Sequence, residues 1–196
     1  FSIYIAQQSI GEMLEIFQYD NGEPLYFLIL KFWMAVFGDA PRTLMLLSLI
    51  ISMLNIFLIY KVALKLFNSQ IALIATFLFC FNSLGLHYSI DVRHYSLLNT
   101  LTILSFYFFY GSLDSKKNFF SYAIVNFLGL STHSFFAFVP IGHLIYIIVF
   151  KKRLIGKFLL NYSITGLLHL PWFLIVTLKQ LTGKSSISTV INFVRY

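Results

Sequence analysis

The 196-residue sequence is 59% hydrophobic and only 11% charged, with mean hydropathy +0.82. A soluble domain of this length has no means of covering so much apolar surface, so the composition excludes that class and points to a polytopic membrane protein. The net charge of +7 sits in short clusters between apolar runs, where topology signals sit, which excludes a nucleic-acid footprint.

The apolar runs lack the period-two alternation of a barrel, so the expected fold class is all-α, a transmembrane helical bundle. Ile3, Ala6, Ile10, Met13, Leu14 and Phe17 recur at helical spacing, with Gln7, Gln8, Glu12 and Glu15 opposite them. That predicts one amphipathic helix over 2–17, lying in the membrane interface. Asp20-Asn21-Gly22-Glu23-Pro24 reads as a turn, with Pro24 opening the next helix. Leu25 to Phe37 is apolar but about half a bilayer long, a second interfacial or re-entrant helix ended by Gly38-Asp39-Ala40-Pro41.

Thr43 to Tyr60 reads as a full span, with Lys61 and Lys65 just beyond. Asn68-Ser69 turns the chain into a span from Ile71 through Phe81 to about Leu86. Leu97 to Tyr110 is another span, followed by Gly111-Ser112, Asp114, Lys116 and Lys117. Phe119–Leu130 and Phe135–Phe150 are two short spans joined by Ser131-Thr132-His133-Ser134. Lys151, Lys152, Arg153 and Lys157 precede a last span over Phe158–Leu178, and 179–189 is polar. The domain reading is thus interfacial helices over 1–41, about six transmembrane helices over 42–178, and the start of an outer loop over 179–196. Cys80 lies alone in an apolar run and has no partner for an internal disulfide.

The basic clusters fall at alternate connections, so the positive-inside rule puts 61–65, 116–117 and 151–157 in the cytoplasm. Residues 1–42, the 87–94 loop, the 131–134 turn and the tail then share the opposite face. Glu12, Glu15, Asp20, Glu23, Asp39 and Asp91 all fall on that face, and Asp114 alone does not. The loop Tyr88-Ser89-Ile90-Asp91-Val92-Arg93-His94-Tyr95 concentrates a carboxylate and a guanidinium between two apolar runs. Such groups are expensive in lipid and mark a functional site. The short spans predict a thinned wall beside a lipid-tail groove.

Several stretches, in register, resemble the GT-C class of polytopic glycosyltransferases, most of all family-39-like bacterial members related to protein O-mannosyltransferases and aminoarabinose lipid A transferases. Glu23-Pro24-Leu25-Tyr26 through Trp33, then Phe37-Gly38-Asp39, resembles that family's Pro-Leu-Tyr helix and Phe-Gly turn. Leu46-Leu47-Ser48-Leu49 sits where its second span begins. Residues 88–95 resemble its acid-x-Arg-x-Tyr loop. Thr132-His133 with Phe135-Phe136, and Leu170-Pro171-Trp172, complete the set. Phe1 to Leu14 resembles the helix just after the family's Asp-Glu pair, so that pair, with the catalytic carboxylate, is expected upstream of Phe1. Two positions depart from the pattern. Gly22-Glu23-Pro24 stands where His-Pro-Pro or Lys-Pro-Pro is common, and Met45 replaces an arginine, with Arg42 one turn earlier.

The resemblance implies transfer of a sugar from a polyprenyl-phosphate donor to a lipid, glycan or protein acceptor, at the outer face of a bacterial inner membrane. An acceptor hydroxyl needs a carboxylate base, and a leaving phosphate needs cationic donors. Arg93 is the expected phosphate contact with His133 beside it. Asp91 is placed with the catalytic groups, where fixing Arg93, holding the acceptor and binding a divalent cation all remain open. Tyr88, Tyr95 and Tyr26 suit stacking on sugar or donation to its hydroxyls, and Glu23 joins the substrate-binding group. Plainer readings stand beside these. Asp91 and Arg93 also suit a local ion pair with Asp91 as a helix N-cap, His133 a bond to a buried carbonyl, and His143 and His169 interhelical hydrogen bonds. A transporter or flippase of lipid-linked substrates, or an inactive scaffold of this fold, is the alternative function. A transporter would place its ionisable groups near mid-membrane, often within an internal repeat, and this chain gathers them at one face.

Overall fold

The computed structural model describes residues 1–19, 22–114 and 117–181. The expected turn residues Asp20 and Asn21, the basic Lys116 and the polar stretch from residue 182 onward lie outside the described residues. Every regular element among the described residues is helical, so the fold is an all-α bundle.

The interfacial segment forms three helices. The single helix expected over 2–17 is in fact two, α1 (Ser2–Gln7) and α2 (Ile10–Tyr19). The break is a capping box. The Ser9 N–H donates to the Glu12 carboxylate at 2.8 Å and the Glu12 N–H to the Ser9 hydroxyl at 3.3 Å. Glu12, expected only as part of a polar face, therefore starts a helix, and these bonds hold its carboxyl below the usual carboxylate range. α3 (Pro24–Phe37) begins on Pro24 and ends at Gly38, whose φ of 84° favours glycine. Lys31 of α3 donates to the Gln8 carbonyl at 2.6 Å and the Ala6 carbonyl at 3.2 Å, so α3 holds the open C-terminal end of α1.

α4 (Pro41–Leu66) overruns the expected 43–60 span at both ends. The span expected over 71–86 is broken into α5 (Ser69–Cys80) and α6 (Ser83–Ile90), bent by 61°. The cause is local: Asn82 Oδ1 accepts from the Leu84 and Gly85 N–H groups, starting a new helix in mid-run. α7 (Tyr95–Asp114) and α8 (Lys117–Leu130) follow. A 3-10 turn over Ser134–Ala137 leads into α9 (Phe138–Phe150). α10 (Ile155–Trp172) contains Pro171 and passes through a π-turn at Phe173–Thr177 into α11 (Leu178–Leu181).

Among the described residues, Pro41–Leu66, Tyr95–Leu113 and Lys152–Thr177 are long and apolar enough to cross a bilayer, and the bent pair α5–α6 passes the same test only when its two helices are taken together. The expected short spans remain short, at Asn118–Leu130 and Ser134–Phe150. α4, α7, α8 and α10 pack successively side by side, with α5 against α4 and α9 at the edge. A polar ladder pins α4 to α7: Asn55 Nδ2 donates to the Ser96 carbonyl at 2.9 Å, and Thr100 donates to Asn55 Oδ1 at 2.7 Å. α5 exposes Leu73, Ile74, Phe77 and Leu78, the face expected to meet lipid. His143 makes the interhelical bond expected of it, to the Tyr122 hydroxyl at 2.9 Å. His169 does not, because its buried Nδ1 meets no donor or acceptor.

The two ends of the bundle differ. At one, Lys65 lies 3.8 Å from the centre of the Tyr107 ring and Lys157 donates to the Ser112 carbonyl. At the other, a core of Ile5, Met13, Phe17, Tyr26, Leu30 and Leu44 locks the interfacial helices onto α4, with Val176 of the π-turn. Open grooves of about 410 and 220 Å³ flank α9, against α7 and α10 respectively.

Candidate functional site

The candidate site lies at the end that carries the interfacial helices. Three connections meet there. The first is the start of α3. The Leu25 N–H donates to the Ser131 carbonyl at 2.9 Å, and the Ser134 hydroxyl donates to Glu23 Oε1 at 2.7 Å. The second is the α6–α7 loop, tied to α4 because Ser48 donates to the Asp91 carbonyl at 2.7 Å. The third is the α8–α9 turn, where His133 Nδ1 accepts from the Phe135 N–H at 3.0 Å and caps the 3-10 turn. His133 thus bonds a backbone donor where a buried carbonyl was the plainer expectation.

A line of rings joins these connections. The Tyr26 ring lies 6.3 Å from His94, and His94 lies 4.8 Å from His133. Burial holds His94 down to about 4, assisted by the nearby His133 and Arg93, and burial also lowers His133. Both imidazoles are therefore neutral at pH 7. Because His133 Nδ1 accepts a hydrogen bond, its proton sits on Nε2. His94 Nε2 is buried with no partner. The Tyr26 hydroxyl is likewise buried and unpartnered, next to Ser48 and within electrostatic reach of Asp91.

Asp91 sits at the C-terminal end of α6, which corrects its plainer reading as an N-cap. A carboxylate there meets the negative end of the helix, so the position does not serve helix stability. Its Oδ2 lies 3.7 Å from Arg93 Nε, and the Arg93 N–H donates to the Asp91 carbonyl at 2.8 Å. The Arg93 side chain is 56% exposed, so the pair leaves much of the guanidinium fork open. Tyr88 and Tyr95 flank that loop with ring centres 4.2 Å apart and the rings tilted by 34°.

Glu23 is the unusual acid. It occupies the N-cap position of α3 but makes no capping bond with its side chain. Burial pushes its carboxyl up to about 7, against the Ser134 hydroxyl and the Trp172 side chain, which favour the charged form. Oε2 is buried with no partner in hydrogen-bond geometry.

The structure therefore brings the expected site residues to one rim in three groups: Glu23 with Ser134, Tyr26 with His94 and His133, and Asp91 with Arg93 beside the Tyr88–Tyr95 pair. Sequence reasoning passed over His94 as a site residue, although it joins two of these groups, and it missed Ser48 and Ser134. Their one sequence signal is adjacency, Ser48 within Leu46-Leu47-Ser48 and Ser134 directly after His133. Among the described residues, no three of His, Cys, Asp and Glu gather as a metal-ligand set. The rim offers an open guanidinium, a carboxylate, a carboxyl that titrates near neutrality, two neutral imidazoles and paired tyrosines. That set can bind an anion and a polyhydroxylated group side by side.

A family model described as dolichyl-phosphate-mannose-protein mannosyltransferase matches residues 21–178, well over half the chain. No curated protein and no solved structure matches it.

Proposed function

The chain belongs to the dolichyl-phosphate-mannose-protein mannosyltransferase family, and from that premise we propose that the rim binds a polyprenyl-phosphate sugar and transfers its sugar to an acceptor hydroxyl. The family makes the protein an integral-membrane glycosyltransferase of mannosyltransferase type. The donor, the acceptor and the outward-facing orientation belong to this proposal.

The chemistry breaks the bond between the sugar C1 and the phosphate oxygen and forms one between C1 and the acceptor oxygen. The acceptor proton goes to a carboxylate base, and the lipid phosphate leaves with the bonding electrons. The Arg93 fork neutralises that leaving phosphate, and Asp91 holds Arg93 from the loop side. Neutral His133 donates from Nε2 to a phosphate or sugar oxygen. Tyr88, Tyr95 and Tyr26 line the sugar side, and Glu23 meets a sugar hydroxyl through Oε2. The apolar grooves flanking α9 suit the isoprenoid tail.

The observation that carries this reading is the convergence of Glu23 and Ser134, far apart in sequence, with the His94–His133 contact beside the Asp91–Arg93 loop. The test is Arg93→Ala in the full-length protein, with mannosyl transfer from a polyprenyl-phosphate donor as readout. Transfer falls by about 100-fold or more, in the range of a lost charge-assisted contact to developing charge, while membrane insertion is unchanged. Arg93→Lys recovers part of the loss. Normal turnover in Arg93→Ala removes Arg93 from the site.

A further inference from the structure

The 61° bend between α5 and α6 opens a cavity of about 170 Å³ behind the Asp91 loop, between the bent pair and α4 and α7. Its lining is mostly hydrocarbon, with Met53, Phe79 and Leu86, and includes the polar side chains of Ser52, Ser96 and Asn99. Most of these polar groups are already bonded. Ser96 donates to the Tyr88 carbonyl at 2.9 Å, so in the 2.9 Å contact between the hydroxyls Ser52 is the donor and Ser96 the acceptor. The Asn99 amide makes no hydrogen bond among the described residues. It thus offers two N–H donors to the cavity, in a segment where an unanswered amide is expensive.

Depth identifies what answers it. Ser48 bonds the Asp91 carbonyl at the outer rim. Ser52 is one turn farther along α4, about 6 Å inward at 1.5 Å per residue. With the loop at the water edge, this is the depth of the interfacial layer above the hydrocarbon core, where lipid ester groups lie. A pure isoprenoid chain would leave the Asn99 donors unmet. Ester carbonyls of a glycerophospholipid meet them, with acyl chains along Met53, Phe79 and Leu86. We propose that the cleft between the α5–α6 bend and α4/α7 is a glycerophospholipid site, in which Asn99 donates to an ester carbonyl. The site requires only that this rim lie at a membrane surface, and so stands apart from the sugar-transfer reading.

The chain's single cysteine, Cys80, lines the same cavity and reports its occupancy. The test measures the rate of N-ethylmaleimide modification of Cys80 in the full-length protein in detergent. Added probes are dioleoyl phosphatidylglycerol, its diether analogue without ester carbonyls, or polyprenyl phosphate. The diester is expected to slow modification by about five- to tenfold more than the diether, the worth of one hydrogen bond. Asn99→Leu erases that difference and Asn99→Gln retains it. Equal protection by diester and diether, or an undiminished difference in a folded Asn99→Leu variant, overturns the proposal. So does stronger protection by polyprenyl phosphate than by the diester, which would give the cleft to the donor lipid.

Discussion

Glu23 provides the sharpest quantitative test. Burial raises its carboxyl from 4.5 to about 7. At 1.36 kcal/mol per pK unit, the charged form is disfavoured in the folded protein by about 3 kcal/mol. Glu23 is only part-buried, and solvent screening brings the working figure to about 2 kcal/mol. The sign follows from proton uptake. Between 4.5 and about 7 the folded state keeps a proton that the unfolded chain has released, so stability falls as pH rises through this window. The contribution is fully present below 4.5 and lost above about 7. Glu23→Gln keeps the shape and the acceptor for Ser134 but cannot ionise. Thermal melts followed by tryptophan fluorescence, with Trp172 alongside, should find the two proteins within about 0.5 kcal/mol of each other near pH 4.5. Near pH 8.5 the Gln variant should melt about 4–8 °C higher, at ~2–4 °C per kcal/mol for a chain of this size. A gap independent of pH, or a Gln variant less stable at high pH, would show that the buried carboxylate is held in its charged form.

Gly129→Ala sets helix propensity against packing. Alanine favours the helix by about 1 kcal/mol, but its Cβ would stand 2.4 Å from the ring of Phe136, which is 1% exposed. Overpacking at ~1–3 kcal/mol should win, lowering the melting temperature and loosening the turn that carries His133; a more stable variant would show that Phe136 yields freely. Asn55→Leu should destabilise by about 1–2 kcal/mol, because the Ser96 carbonyl and the Thr100 hydroxyl lose the Asn55 amide and keep only their 3.1 Å bond to each other. Thr100→Val should cost less in that background than in the native protein, and a double-mutant cycle of melts without coupling would dissolve the ladder. Lys31→Met should free the end of α1 at a cost of about 1–2 kcal/mol, read as faster backbone hydrogen exchange at Ala6 to Ser9 with the bundle core unchanged.

Composition and hydropathy were enough to identify the class of the molecule. Hydropathy and period are local properties, so the apolar runs identified the helices and the basic clusters, at alternate connections, marked one end of the bundle. The loop holding Asp91 and Arg93 stood out for the same reason, since charge between two apolar runs needs no partner to be noticed. Local signals also existed where the reading went astray: Ser9 with Glu12, and Asn82 before Ser83, are caps that broke two expected helices. Contacts between residues distant in the chain came from the folded bundle alone. That Glu23 meets Ser134, that His94 stacks toward His133, and that Asn99 faces an open cleft depend on how α3, α7 and α8 pack. The raised Glu23 carboxyl follows from burial beneath segments remote in the chain. Periodicity assigns a residue to a face of its own helix, but which other helix covers that face is set by the packing of the whole bundle.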